Sequence, residues 1–263
     1  MLPPKSRAIT STKNPVVARF REAQDGDPEV LFAEGVRLCA EGLAAGLPIV
    51  DAAISPRLKD AALRERLLTA YPDTADCTDE VLQRMSALDT HQGVAILFGR
   101  PRWQPRDLLR GDLAPLVLLA AGVRDPGNLG ALLRTAEAAG ASGLIALQGG
   151  ADPFREKAVR GSMGSVFRLP TLAGVPVEAA VAFARDHRLQ LVVAEGEGDL
   201  DYTRADLRKP TLLAVGAEAA GVPDALRAAA NQRVSIPIRK PVESLNVAVA
   251  AGVLLFEARR QRR

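Results

Sequence analysis

Three stretches of the chain pair side chains able to bind or polarise a ligand with glycines that let backbone approach closely. The first is RDPGNLGALLRTAEAAG, residues 124–140. Asp125, Pro126, Gly127 and Asn128 form a turn, with Asn128 a candidate cap for the helix that follows. Leu129, Leu132, Leu133 and Ala136 recur at helical spacing and make one apolar face. Arg134 falls about 140° around the helix from Leu129, off that face, and so points to solvent or a ligand. The second stretch is LLAVGAEAAGVP, residues 212–223. An apolar strand ends at Gly216, and the carboxylate of Glu218 follows as a sheet-edge charge or as an acceptor for a ligand or an arginine. Gly216 and Gly221 permit close backbone approach. The third stretch, IPIRKPVESLNVAVAAGVLLFEARRQRR, closes the sequence at 236–263. Ser244 fits a helix N-cap. Asn246 then falls inside the first turn, where Asn is a poor helix former. Its amide both donates and accepts, which suits a ribose hydroxyl, a carboxylate or a backbone group. Each feature taken singly also has an ordinary structural reading, as a solvated arginine, an edge charge and a cap.

All three stretches follow predicted strands, and open parallel sheets bind ligands at the C-terminal ends of their strands. The elements that must position them read as follows. From 113 onward, LAPLVLLAAGV is a strand apolar on both faces, as in a buried parallel sheet. NLGALLRTAEAAG is a helix stopped by Gly140, LIALQ a strand, and EKAVRGSMGSVFRLP a helix start running into a glycine-bearing loop. VEAAVAFARDHRL is a helix, QLVVAEGEG and TLLAVG are strands, RVSIPI is a last strand and SLNVAVAAGVLLFEARR a last helix. This alternation predicts an α/β domain with an open parallel sheet. Before it, EVLFAEG, IVDAAIS and GVAILFG read as strands, and VRLCAEGLAAG, KDAALRERLLTAY and DEVLQRMSAL as helices, giving a smaller α/β unit. Residues 99–112, GRPRWQPRDLLRGD, read as a linker. Its Trp103 is a residue to stack on a base or to dock on a neighbouring domain. The division is into 1–105, with the linker, and 106–263.

The chain has 263 residues, is 48% hydrophobic and 25% charged, and carries a formal charge of +3. These values fit an ordinary globular protein of one large or two small domains. The first 21 residues hold Lys5, Arg7, Lys13, Arg19 and Arg21 and no acid, and the end holds Arg259, Arg260, Arg262 and Arg263. Basic ends suit a polyanion and equally fit frayed, solvated termini. Cys39 and Cys77 are isolated, as are His91 and His187, so neither a disulfide framework nor a metal site is expected. The N-terminus lacks the apolar core of a secretory signal and no apolar run reaches a membrane span. The expectation is a cytoplasmic protein with no membrane partner. No G-x-G-x-x-G follows the first strand of either region, and there is no Walker loop and no nucleophile elbow, so standard nucleotide binding is disfavoured.

Together the three stretches make an ordered triple: N-x-G-x-x-x-R-T-A, then G-A-E, then I-P-I…E-S-L-N-V. This triple resembles the SpoU (TrmH-type) family of RNA 2′-O-ribose methyltransferases of the SPOUT class, over about residues 113–260. FAEGVRLCAEGLAAG and HQGVAILF resemble the small L30e-like α/β domain that precedes the methyltransferase domain in members acting on large-subunit rRNA. The resemblance implies a parallel-sheet SPOUT domain with a C-terminal trefoil knot, S-adenosyl-L-methionine as cofactor, RNA as substrate and a homodimer built with the last helix. Cofactor contacts carry over to Ala194, Glu195, Gly196, Gly216, Ile236 and Leu245, mainly through backbone. Polar family positions match Asn128, Arg134, Glu218, Ser244 and Asn246, with Glu218 or Asn128 orienting Arg134. A guanidinium stays protonated to above pH ~12, so Arg134 reads as an electrostatic stabiliser and phosphate anchor. Ala219 and Lys240-Pro241 depart from the family's glycines in the cofactor loops. A tRNA ribose methyltransferase, or a non-catalytic RNA-binding protein keeping the fold, are the competing readings.

Overall fold

A computed structural model describes residues 7–111, 113–216 and 221–263; Glu218 and Ala219 lie outside these described residues. The chain separates into two compact units, one of residues up to Arg102 together with Phe154–Arg168, the other of Trp103–Pro153 with Leu169–Arg263.

The first unit is built on β1 (Arg7–Ile9), α1 (Pro15–Gln24), β2 (Val30–Glu34), α2 (Val36–Ala44), β3 (Ile49–Ile54), α3 (Ala61–Ala70), β4 (Ala75–Cys77), α4 (Asp79–Met85) and β5 (Val94–Gly99). Its five strands lie in the order β1-β4-β3-β5-β2. β5 runs antiparallel to both neighbours, whereas β1, β4 and β3 are parallel. Local chemistry sets the helix starts. Asn14 caps α1 with Pro15 in its first turn, Asp60 caps α3 and Thr78 caps α4, each side-chain oxygen taking an otherwise orphaned N–H. Phe20 of α1 stands edge-on to Phe32 of β2, ring centres 6.4 Å apart, in a core with Val17, Val81, Leu82 and Met85.

The expected break into two contiguous domains is crossed by Phe154–Arg168, which lies in the 106–263 stretch yet packs with the first unit. Side chains explain this. The Phe167 ring is 5.7 Å from that of Phe98, the Arg100 guanidinium lies 3.8 Å over the ring of Phe154, and Arg168 pairs with Glu41 at 2.6 Å. The expected linker also has structure. Pro105–Leu109 forms a 3-10 turn, and Leu108 is fully buried in the core of the second unit.

The second unit contains β6 (Leu116–Ala121), α5 (Pro126–Ala139), β7 (Gly143–Leu147), β8 (Thr171–Val175), α7 (Val177–Asp186), β9 (Gln190–Ala194), β10 (Leu200–Asp201), β11 (Thr211–Gly216), α8 (Asp224–Ala229), β12 (Gln232–Ser235) and α9 (Val247–Gln261); α6 (Glu156–Ser162) is the helix lent to the first unit. Seven strands pair in parallel in the order β10-β12-β9-β11-β6-β7-β8. All six residues of β6 are buried, as the unbroken apolar run predicts. From β6 the chain first moves to one side through β7 and β8, then to the other through β9, β11 and β12. This reversal makes a topological switch point, where open sheets leave a crevice at the strand ends. β12 ends at Ser235, short of the expected IPI, because Pro237 has no N–H for a ladder.

The basic C-terminus is largely spent inside the unit. Arg259 donates to Ala138 O at the end of α5, and Arg260 pairs with Glu257. Arg262 donates to the carbonyls of Leu207, Ala114 and Lys209 at 2.6–2.7 Å. Four basic residues at this end therefore do not amount to four free contacts for a polyanion.

Candidate active site

A cleft of about 180 Å³ opens at the C-terminal ends of β9, β11 and β12. Ala194, Glu195, Gly196, Gly216, Ile236 and Leu245, the residues that the sequence resemblance assigns to a cofactor, all line it. Its walls are largely aliphatic, from Val215, Val234, Ile238 and Val247, and Gly196, Gly216 and Gly221 bring bare backbone to it. Ser244 and Glu243 stand at its edge, exposed.

The backbone around the cleft is packed to its limit on one side and open on the other. A Cβ on Gly216 would stand 2.3 Å from the carbonyl carbon of Gly221, and backbone cannot step aside as a side chain tip can. At Gly196 the position of a Cβ has nothing within 4 Å, so the main chain there faces free space in the cleft. An apolar slot edged by main-chain donors and acceptors fits a ligand with flat or aliphatic faces and a hydrogen-bonding rim. The side chain of Glu195 is not part of that rim. Its carboxylate accepts from Arg227 Nε at 2.9 Å and from Arg233 Nη1 at 3.2 Å, so it is held within the protein.

The polar candidates divide into groups. Asn246 Nδ2 donates to Asn128 Oδ1 at 3.0 Å, joining the first and third stretches beside Leu245 and Val247 of the cleft wall. Ser244 lines the cleft with no hydrogen bond to its hydroxyl among the described residues. Arg134 is exposed on α5, outside the cleft lining, and among the described residues no carboxylate pairs with it. Glu218, the expected partner for Arg134 or a ligand, lies outside the described residues.

Both expected helix caps are displaced. Asn246, not Ser244, is the N-cap of α9, its Oδ1 accepting from Ala248 N at 2.9 Å and Val249 N at 3.4 Å. Val247 is buried and must open the helix toward the core, which fixes the cap one residue before it. Asp125, not Asn128, caps α5, accepting from Asn128 N at 2.7 Å. The Asp-Pro pair carried that signal, since Pro126 is preorganised for the first helical position and holds the residue before it extended. Reading the sequence also missed Arg227 and Arg233, which sit 32 and 38 residues from Glu195 and share no local pattern with it.

Elsewhere, chemistry is sparse. Cys39 and Cys77 are free and buried, and burial pushes the Cys77 thiol up to about 11. Among the described residues no cluster of His, Cys, Asp or Glu is arranged to hold a metal, and no helix is long and apolar enough to cross a membrane.

The sequence profile of the SpoU rRNA Methylase family matches residues 115–256, more than half of the chain. A protein of Synechocystis sp. named as an uncharacterized tRNA/rRNA methyltransferase is 31% identical, over 97% of this chain and 94% of its own. The crystal structure of an AdoMet-bound rRNA methyltransferase from Sinorhizobium meliloti superposes with a TM-score of 0.85 at 32% identity, covering 97% of this chain and 98% of that one. That of an RNA 2′-O ribose methyltransferase gives 0.80 at 33% identity, covering 97% and 99%. With the motifs, the all-parallel sheet and the cleft at its switch point, these matches show that the chain belongs to the SpoU family of RNA methyltransferases.

Proposed function

We propose that the protein transfers a methyl group from S-adenosyl-L-methionine to a ribose 2′-hydroxyl of large-subunit rRNA. The observation that carries this reading is the convergence of Ala194, Glu195, Gly196, Gly216, Ile236 and Leu245 on one cleft at the strand ends. The S. meliloti relative, similar over 97% of this chain, is named as an AdoMet-bound rRNA methyltransferase, which favours rRNA over tRNA. In this reading the first unit is an L30e-like domain that binds the RNA substrate, and the segments around the cleft form the trefoil knot.

When bound, S-adenosyl-L-methionine supplies an electrophilic methyl on a sulfonium. The chain does the rest. Val215, Val234 and Val247 keep water from the apolar parts of the pocket, and main-chain groups at Gly196, Ile236 and Leu245 orient the ligand. Ser244, unpartnered among the described residues, meets the ribose. A ribose hydroxyl is a weak nucleophile until its proton is lost or shared. The Arg134 guanidinium stabilises the charge that develops on the 2′-oxygen and anchors a neighbouring phosphate. Asn128 and Asn246, bonded to each other, hold the entrance of α5 and the entrance of α9 together.

A homodimer fits the same reading. α9 leaves Val249 54% and Phe256 49% exposed, about two turns apart on one side of the helix. Two such apolar side chains on a neighbouring face favour a second copy. Phe256→Arg is expected to give monomers in sedimentation; an unchanged mass would remove α9 from the interface.

The direct test supplies purified protein with methyl-labelled S-adenosyl-L-methionine and, separately, large-subunit rRNA and tRNA from cells lacking the protein. Label is expected in rRNA, at a nucleotide that resists alkaline cleavage. Label in tRNA alone would replace the rRNA assignment, and RNA binding without transfer to either would make the protein a non-catalytic binder.

A further inference from the structure

We propose that Arg227 and Arg233, holding Glu195 between them, form an ionic clasp that sets the spacing of the backbone loops around the cleft. The clasp is a positioning device, and its effect on cofactor rests on the reading of that cleft given above.

The geometry runs through both sides of the cleft. Glu195 follows β9, and its N–H donates to Val234 O of β12 at 3.0 Å. Its Oε2 accepts from Arg227 Nε at 2.9 Å and its Oε1 from Arg233 Nη1 at 3.2 Å. Arg233 reaches on to Asp199, with Nε at 2.8 Å and Nη2 at 2.6 Å. The loop 195–199 is thus fixed at its first residue and at its last. Between them, Ser235 Oγ donates to Gly198 O at 3.3 Å, and a Cβ on Gly198 would stand 2.3 Å from the Val234 carbonyl carbon. The loop has no slack, and of its two cleft-lining residues, Glu195 and Gly196, Gly196 has open space where its Cβ would stand.

Arg227 extends the hold to the other side. It lies on α8 and pairs with Asp224 at 2.6 Å. A Cβ on Gly221 would be 3.8 Å from its Nη2, and Gly221 in turn sits against Gly216. One guanidinium therefore ties the loop carrying Glu195 and Gly196 to the start of α8, directly after the segment whose Gly221 lines the opposite wall. The weight of the network falls on Glu195, whose side chain is 14% exposed, against 66% for Asp199 and 97% for Asp224. Pairs on the exposed carboxylates are screened and weak. Removing one arginine from Glu195 leaves a mostly buried carboxylate half-satisfied, which is the costly change. Three carboxylates and two guanidiniums also leave no surplus positive charge here for an RNA phosphate, so the role is internal.

The test compares the intact protein with Arg227→Leu, Arg227→Lys and Glu195→Gln. Amide hydrogen exchange without ligand reads the clasp directly. Faster exchange is expected over 194–199 and 221–229 in Arg227→Leu, with β6 and β7 unchanged. Calorimetry with S-adenosylmethionine and with S-adenosylhomocysteine should show both weakened by the same factor, about tenfold, with kcat at saturation within about twofold of the intact enzyme. Arg227→Lys should recover part of the affinity, because an ammonium keeps one carboxylate contact but not the fork. Unchanged exchange in the two loops overturns the clasp. Loss for the sulfonium ligand alone overturns it too, since that marks a counter-charge and not a spacer. Glu195→Gln, nearly isosteric, carries the exchange readout alone if Arg227→Leu does not fold, because Glu195 itself lines the cleft. If the intact protein binds neither ligand, the cofactor reading fails while the exchange measurement still decides the clasp.

Discussion

Asn246 does two jobs with one amide, and the first dictates the second. Its Oδ1 is committed to the N–H groups of Ala248 and Val249, so the orientation of the amide, usually an assignment, is fixed by the cap. The NH2 end must then face Asn128, whose Oδ1 accepts it, leaving the Asn128 NH2 to donate elsewhere. Ser can cap a helix but cannot reach Asn128, and Ala can do neither. Asn246→Ala is therefore expected to cost about 1 kcal/mol of stability and Asn246→Ser only a few tenths. Both should lose methyl transfer alike, as thermal melts beside single-turnover rates would show; full activity in the Ser variant would reduce Asn246 to a cap. Arg134 is the opposite case, a residue with no structural duty among the described residues. It is exposed and, among the described residues, unpaired. Arg134→Ala should leave the melting temperature and cofactor affinity nearly unchanged while lowering the transfer rate about 10²–10³-fold. A rate within a few-fold of the intact protein would remove it from the site.

At the scale of elements, the cleft exists because β11 ends in a residue without a side chain. Any Cβ on Gly216 meets the carbonyl group of Gly221 at 2.3–2.4 Å, so the two segments would have to part. Gly216→Ala is expected to lower the melting temperature by several degrees, in line with about 1–3 kcal/mol for overpacking, and to weaken cofactor binding in the same calorimetric titration. Tight binding with a normal melt would mean that the loop relaxes freely. Strands of this kind are legible in sequence because a parallel strand covered on both faces is an unbroken apolar run, as in β6, β7 and β11. β1, β4 and β10 are two or three residues long, and β8 buries only its first residue fully, so none shows a period to read. α8, with six residues and one fully buried side chain, escapes for the same reason. The order of strands is set by tertiary packing, and no local pattern encodes it. The cleft residues were reached through motif resemblance, and the carboxylate–arginine clasp beneath them could not be reached, because its members meet only after folding.

For the molecule as a whole, the two units are not two beads on one string. The chain passes from the first to the second at Arg102, returns at Phe154 and leaves again after Arg168. The returning segment is apolar where it packs: Phe154, Ala158, Val159, Val166 and Phe167 are all buried. Its anchors, Phe98 under Phe167 and Arg100 over Phe154, belong to the first 102 residues. A truncation that begins at Trp103 keeps the segment and discards what covers it. Such a fragment exposes a contiguous apolar patch, a feature that folded monomers seldom tolerate. It is expected to aggregate on size-exclusion chromatography, whereas the same truncation with Phe154 and Phe167 changed to Ser should elute as a soluble species. A soluble, sharply melting fragment with both phenylalanines in place would show that residues 154–168 find cover without the first unit. The RNA-binding contribution of that unit is therefore better measured with point changes on its surface in the full chain, where the strap keeps its partners.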